Sequence, residues 1–261
     1  MTSTEPHIQI RRLQDPTNAQ ITAILLVMRE AFAPGFALRA TLGSEASAAQ
    51  IDALHVCYVR AALVDGEGEL WVAEVERPEV PGEKAIVGVT LCFPPGSDFL
   101  SSARQRAAAG LRQFHEVVGE QRARWFLDYY VAGIDALWKR CAGDAYMASY
   151  KLAKLAVLPE YRAFGIASEL SRPVIERAAR ERKRVFGYGT SEKHVLGYKA
   201  VGCEILGATD FKTLTPVVGP AGEEKTSTLR VWGIGITPAA WADEEGQKEE
   251  TITTQRGMAK L

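Results

Sequence analysis

Cysteine and histidine are scarce and dispersed. The four cysteines, Cys57, Cys92, Cys141 and Cys203, lie far apart and form no C-x-x-C pair, which argues against both a structural zinc site and a disulfide scaffold. His7, His55, His115 and His194 are equally scattered, so no metal constellation is legible and no metal is expected. Long apolar runs are missing too. The longest, Ala23 to Met28, falls far short of the roughly 20 residues that cross a bilayer, so no membrane association is expected. The start, MTSTEPHIQI, has neither the basic region nor the apolar stretch of a secretory signal, and the expectation is a cytoplasmic protein with reduced, mostly buried thiols. Neither charge sign dominates: 31 Lys and Arg against 32 Asp and Glu leave a net charge of −1, so a nucleic-acid partner is not expected.

With 47% hydrophobic and 24% charged residues over 261 positions, the composition is that of a globular chain able to bury a sizeable core. Alternation predicts a strand at Ile8 to Leu13. Asp15-Pro16-Thr17-Asn18 then supplies cap chemistry for a helix with Ile21, Ile24, Leu25 and Met28 on one face, stopped by Pro34-Gly35. Ser44 is placed to cap a second helix in which Ile51, Leu54, His55 and Tyr58 share a face. Glu69 to Val75 and Lys84 to Phe93 read as an antiparallel pair joined through a Pro/Gly turn cluster.

A helical insert is predicted from about residue 97 to 142, in two pieces divided near Gly119, and its length marks it as functional. A strand at Ala148 to Leu158, a helix to about Lys183, a strand at Arg184 to Tyr188, a helix around His194 to Ala200, and strands around Glu204 to Leu214 and Ser227 to Ile236 complete the series. Hairpins mixed with crossover helices imply a mixed central sheet flanked by helices in one α/β (α+β) domain over residues 1–240, with an acidic tail at 241–261.

Chemistry concentrates between Lys151 and Ala167. A strand stops at Pro159, turns through Glu160-Tyr161-Arg162, and launches a helix through Gly165. Such a start aims unpaired N–H groups one way, adds the positive end of the helix dipole, and suits a pyrophosphate.

These residues resemble the acetyl-CoA signature of the GNAT N-acetyltransferase superfamily, whose turn reads Arg/Gln-x-x-Gly-x-Gly/Ala after a strand ending hydrophobic-Ala-Val-x-Pro. Here stand Leu155-Ala156-Val157-Leu158-Pro159 and Arg162-x-x-Gly165-x-Ala167. Tyr198-Lys199-Ala200-Val201-Gly202-Cys203 is similar to the family's Tyr-x-x-x-Gly-aromatic element, with Cys203 in the aromatic position.

The resemblance implies acetyl-CoA as cosubstrate, a small-molecule primary amine as acceptor, and direct transfer in a ternary complex. It implies that backbone groups of Leu155, Ala156 and Val157 hold the pantetheine arm and polarise the carbonyl. It also implies that Arg162, Ala163, Phe164, Gly165, Ile166 and Ala167 hold the pyrophosphate, and that Tyr198 protonates the departing thiolate. Many family members carry a glutamate on the signature strand. Tyr150 to Leu158 contains two lysines and no carboxylate, which leaves an ordered water chain, Glu192 or His194 as the base.

Rival readings stand beside these. The scaffold could serve as a non-catalytic acyl-CoA-binding or interaction module, or transfer another acyl group. A homodimer is left open. Trp125, Phe126, Tyr129, Tyr130 and Trp138, at helical spacing, fit core better than an acceptor pocket, and Asp128 fits a solvated acid better than an amine anchor. Ser191-Glu192-Lys193-His194 fits a strand-end loop better than a triad, and Arg180 to Arg184 fits a helix end better than a phosphate site. Pro173 predicts a kink in its helix.

Overall fold

The computed structural model describes residues 7–33, 35–77, 82–218 and 225–238, and of Ala163, Val218 and Lys225 the backbone alone. Strand β1 (Ile8–Leu13) is followed by Thr17, which closes a capping box with Gln20 and starts α1 (Asn18–Phe32). A short helix not foreseen from the sequence, α2 (Phe36–Leu42), comes next. Helix α3 (Ala48–Ala62) is capped by Ser47 rather than Ser44, because Ser47 stands three residues before Gln50 and completes a second capping box. Its Ile51, Leu54, His55 and Tyr58 are all buried, as their spacing predicts.

Strands β2 (Glu69–Glu76) and β3 (Lys84–Phe93) pair antiparallel. The predicted insert follows in more pieces than the two expected: α4 (Ala103–Ala108), α5 (Leu111–Val118), α6 (Glu120–Arg124), a π-helical turn (Trp125–Val131), α7 (Ala132–Cys141) and α8 (Asp144–Met147). Strand β4 (Tyr150–Val157), a 3-10 turn (Pro159–Phe164) and α9 (Ile166–Arg180) carry the signature segment. Helix α9 runs unbroken from Ile166 to Arg180 with Pro173 inside it. Then come β5 (Val185–Gly189), α10 (Glu192–Ala200), β6 (Glu204–Val218) and β7 (Lys225–Ile236). The acidic tail lies outside the described residues.

The seven strands form one mixed sheet in the order β1-β2-β3-β4-β5-β7-β6, parallel only between β4 and β5. One face is covered by α1, α3 and the insert, where Phe93, Phe114, Phe126, Trp138 and Phe186 join a single large core. On the other face α9 buries Ile166, Leu170, Val174 and Ala178 against β2 to β5. Among the described residues no single helix is long and apolar enough to cross a membrane.

Candidate active site

The sheet opens where its one parallel pair begins. Strands β4 and β5 match only at Tyr150 with Val185 and Lys151 with Phe186. Beyond these, β4 stays paired with β3 as far as Val157, and β5 stays paired with β7 as far as Gly189. A bulge accompanies the split: Leu91 faces Lys154 and the next residue, Cys92, faces Leu152, so Ala153 is an extra residue on β4. Bulges bend a strand and increase its twist, which turns β4 away from β5. Leu155, Ala156 and Val157 therefore face Thr90, Val89 and Gly88 on one side and have no strand on the other.

At the carboxyl end of β4 the chain enters the 3-10 turn and reaches Gly165 at φ 70°, a left-handed conformation that glycine adopts without strain. Helix α9 begins there with no side-chain cap, unlike α1, α3, α4 and α10. The N–H groups of Ile166 and Ala167 thus lack intrahelical acceptors. Ile166 is fully buried and anchors the helix start, Phe164 packs beside Tyr161, and Gly165 and Ala167 are exposed, with open space where a Gly165 Cβ would stand. The Arg162 guanidinium donates to the carbonyls of Val157 at 3.3 Å and Ala31 at 3.1 Å, so it ties the turn to β4 and α1. Burial, then Lys193 and Arg162, hold the His194 imidazole below its ordinary pKa, which places these groups within electrostatic range of one another.

The Tyr-x-x-x-Gly-x spacing has a backbone cause. Cys203 N–H donates to the Tyr198 carbonyl at 3.0 Å and Gly202 N–H to that of Lys199 at 3.1 Å, with Gly202 at φ 82°. This is a Schellman motif, in which the first and last residues of the run also pack together. Cys203 accordingly lies in the buried cluster against which Tyr198 packs. Burial, then Cys203, raises the Tyr198 pKa, so its hydroxyl stays protonated at neutral pH. The ring stands 3.9 Å from the Cβ position of Gly189, at the end of β5 and on the α9 side of the sheet.

Across the sheet, at the base of the split, lies a small cavity of about 40 Å³ that opens to solvent. Leu152, Ala153, Gly187 and Tyr188 form its strand edges, and Tyr130, Ile134, Trp138 and Tyr146 of the insert close over it. Two carboxylates enter it. Asp98 accepts from the Tyr146 hydroxyl at 2.6 Å and from the Phe99 N–H at 2.7 Å, and Asp135 enters from α7. Burial raises the Asp98 pKa against the opposing pull of Tyr146, Phe99 and Lys151. Burial, then Asp98, raises that of Asp135. Lys151 is 2% exposed on the same wall.

The aromatic group of the insert divides. Tyr130 and Trp138 line the cavity, Trp125 and Phe126 are core, and Tyr129 is exposed against Phe211. Asp128 is exposed and paired with Arg124, away from the cavity. Ser191 caps α10 through the His194 N–H, which accounts for the hydroxyl, acid and imidazole run without a triad. Neither Glu192 nor His194 lines the cavity. The basic run at Arg180 to Arg184 sits at the carboxyl end of α9, roughly 21 Å of helix rise from Gly165.

No family model matches the chain, and no curated protein matches it. Solved structures do. A Drosophila melanogaster polyamine N-acetyltransferase, described as catalysing formation of N-acetylagmatine, aligns at TM-score 0.55 and 15% identity over 88% of this chain and 100% of its own. A mosquito arylalkylamine N-acetyltransferase like 5b aligns at TM-score 0.55 and 14% identity, covering 88% and 99%. Arylalkylamine N-acetyltransferase 2 from Aedes aegypti aligns at TM-score 0.52 and 14% identity, again over 88% and 99%. The fold is that of the GNAT acetyltransferases, as the motif resemblance implies.

Proposed function

We propose that the chain is an acetyl-CoA-dependent N-acetyltransferase that acts on a primary amine of a small molecule by direct attack in a ternary complex. The observation that carries this reading is the split between β4 and β5, with an uncapped helix start at one end and an acid-lined cavity at the other. The rise from Leu152 to Val157 is roughly 16 Å, which suits an extended pantetheine arm.

The backbone of Leu155, Ala156 and Val157, without a β5 partner, binds that arm as a missing strand would. The N–H groups along Arg162, Ala163, Phe164, Gly165, Ile166 and Ala167 receive the pyrophosphate. When bound, acetyl-CoA supplies an electrophilic thioester carbonyl. Tyr198, protonated at neutral pH and placed beside the end of β5, donates its hydroxyl proton to the departing sulfur. Asp98 and Asp135 outnumber Lys151 in the cavity and favour a cationic acceptor over an anionic one, while Phe99, Tyr130 and Trp138 surround its apolar portion.

Thiol release measured with acetyl-CoA and a panel of amines, alcohols and carboxylated amines tests the reading. Saturable release with cationic primary amines is expected. Saturable acetyl-CoA binding with no release for any acceptor would replace the enzyme with a binding module.

A further inference from the structure

Resting on the acetyltransferase reading, one role remains unfilled: a group must take a proton from the acceptor, because an aliphatic amine with pKa near ~10.4 enters as an ammonium. The signature strand has no carboxylate, and Glu192 and His194 are absent from the cavity lining. Lys151 is there, on β4, at the last residue pair before the split.

The surroundings of its amine are specific. Nζ donates to the Ser149 carbonyl at 3.0 Å and to the Met147 carbonyl at 3.3 Å, and it lies 5.0 Å from the centre of the Tyr146 ring. Among the described residues it forms no salt bridge. A neutral amine has two N–H donors and one lone pair. The two carbonyls accept both donors, so the lone pair is the one valence left over. The charged form would instead place a third N–H there, in a site that is nearly dry and has no carboxylate in contact.

We propose that Lys151, in its neutral form, is the base that removes the first proton from the acceptor ammonium.

The remaining protons balance. Lys151 takes one proton and leaves a neutral amine. The nitrogen lone pair then forms the C–N bond with the thioester carbonyl carbon while the C–S bond breaks and its electron pair stays on sulfur. Tyr198 gives its proton to that sulfur and is reprotonated by the second proton lost from nitrogen. The proton held by Lys151 leaves to solvent past Asp98 and Asp135. The net change is ammonium plus thioester to amide, thiol and one proton.

The titratable groups that act on Lys151 or share its cavity are Asp98 from the segment after β3, Cys92 from β3, Tyr58 from α3, Tyr130 from the π-helical turn, Asp135 from α7, Tyr146 from α8 and Tyr188 from β5. Burial lowers its pKa to about 8, with Asp98 and Cys92 opposing, so an appreciable fraction is neutral near physiological pH.

The test compares K151M and K151R with the wild-type chain. Both variants should bind acetyl-CoA with Kd within twofold of wild type and lose about 100-fold or more in kcat/KM. Wild-type kcat/KM should rise with pH through about 8, and that limb should vanish in both variants. The arginine keeps the charge and can still reach the carbonyls, but it has no usable lone pair, so activity restored in K151R would assign Lys151 a structural role and overturn the proposal. A variant that keeps the pH limb and near-wild-type kcat/KM would overturn it too. Independently of turnover, the ¹³Cε lysine spectrum of the chain without ligands should contain one resonance titrating near pH 8 that K151M removes, and its absence counts against Lys151. If the wild-type chain releases no thiol with any amine, the acetyltransferase reading fails first and takes the base with it.

Discussion

Tyr198 and His55 show how differently two partly apolar residues use burial. The phenol of Tyr198 has its pKa raised by burial and makes no hydrogen bond that would commit its proton elsewhere among the described residues. In the Y198F variant the ring and its packing remain while the proton is lost. Turnover should fall about 100-fold with acetyl-CoA affinity changed by less than twofold, read by steady-state kinetics beside calorimetric titration. His55 is 1% exposed, and neither ring nitrogen has a partner among the described residues. Burial, then Lys154 and Arg29, pushes its pKa down to about 3. The unfolded chain, with histidine near 6.5, therefore binds more protons between pH 6.5 and 3. Stability from the neutral ring is fully present above 6.5 and lost as pH falls toward 3. Replacing His55 with leucine removes both unpaired nitrogens and should raise stability by about 1–3 kcal/mol at neutral pH, with a shallower loss on acidification. Urea titrations at pH 7 and pH 4 read both effects. Tyr198 was picked out by the family resemblance of Tyr198 to Cys203, and the structure shows that this spacing encodes a helix ending. Asp98, Asp135 and Lys151 were not, since a lone acid in a loop, an acid on a helix and a strand lysine have no local pattern that distinguishes a cavity wall from solvent.

At the scale of elements, the start of α9 carries the most weight. Its missing side-chain cap leaves donors for an anion, and Gly165 holds the turn open. The substitution Gly165→Glu puts a carboxylate into that space on a backbone at φ 70°. Acetyl-CoA Kd should weaken at least about tenfold through repulsion and crowding, while a stability loss of about 1 kcal/mol, read by thermal unfolding, leaves the fold intact. Unaltered affinity in the folded variant would remove the pyrophosphate from this corner. The start of α1 was legible in Asp15-Pro16-Thr17-Asn18, whereas α3 was assigned to Ser44 and is capped by Ser47, whose position three residues before Gln50 went unread. The bulge at Ala153 was not legible. Lys151 to Val157 reads as a plain strand until β3 shows that one residue is surplus. The π-helical turn at Trp125–Val131 escaped for a related reason, since its apolar residues also fit α-helical spacing.

At the scale of the whole molecule, the insert explains its own length. Its final helices lie over the half of the sheet that carries β5, stack Trp138 on Tyr146 at 4.7 Å, and roof the cavity where the strands part. Element order and the signature segment could be read along the chain because both are local. The cavity could not, because Asp98, Asp135, Lys151 and Tyr188 come from four separate segments that meet only through the sheet order. The account stands on the opened strand pair receiving acetyl-CoA along β4 and onto the start of α9. Amide hydrogen exchange with and without acetyl-CoA measures that most directly. Saturable protection confined to Leu152 through Val157 and to Gly165 through Ala167, with the carboxyl end of α9 unaffected, is the predicted result. Saturating acetyl-CoA that leaves those amides unprotected, or protects another face of the sheet instead, would contradict it.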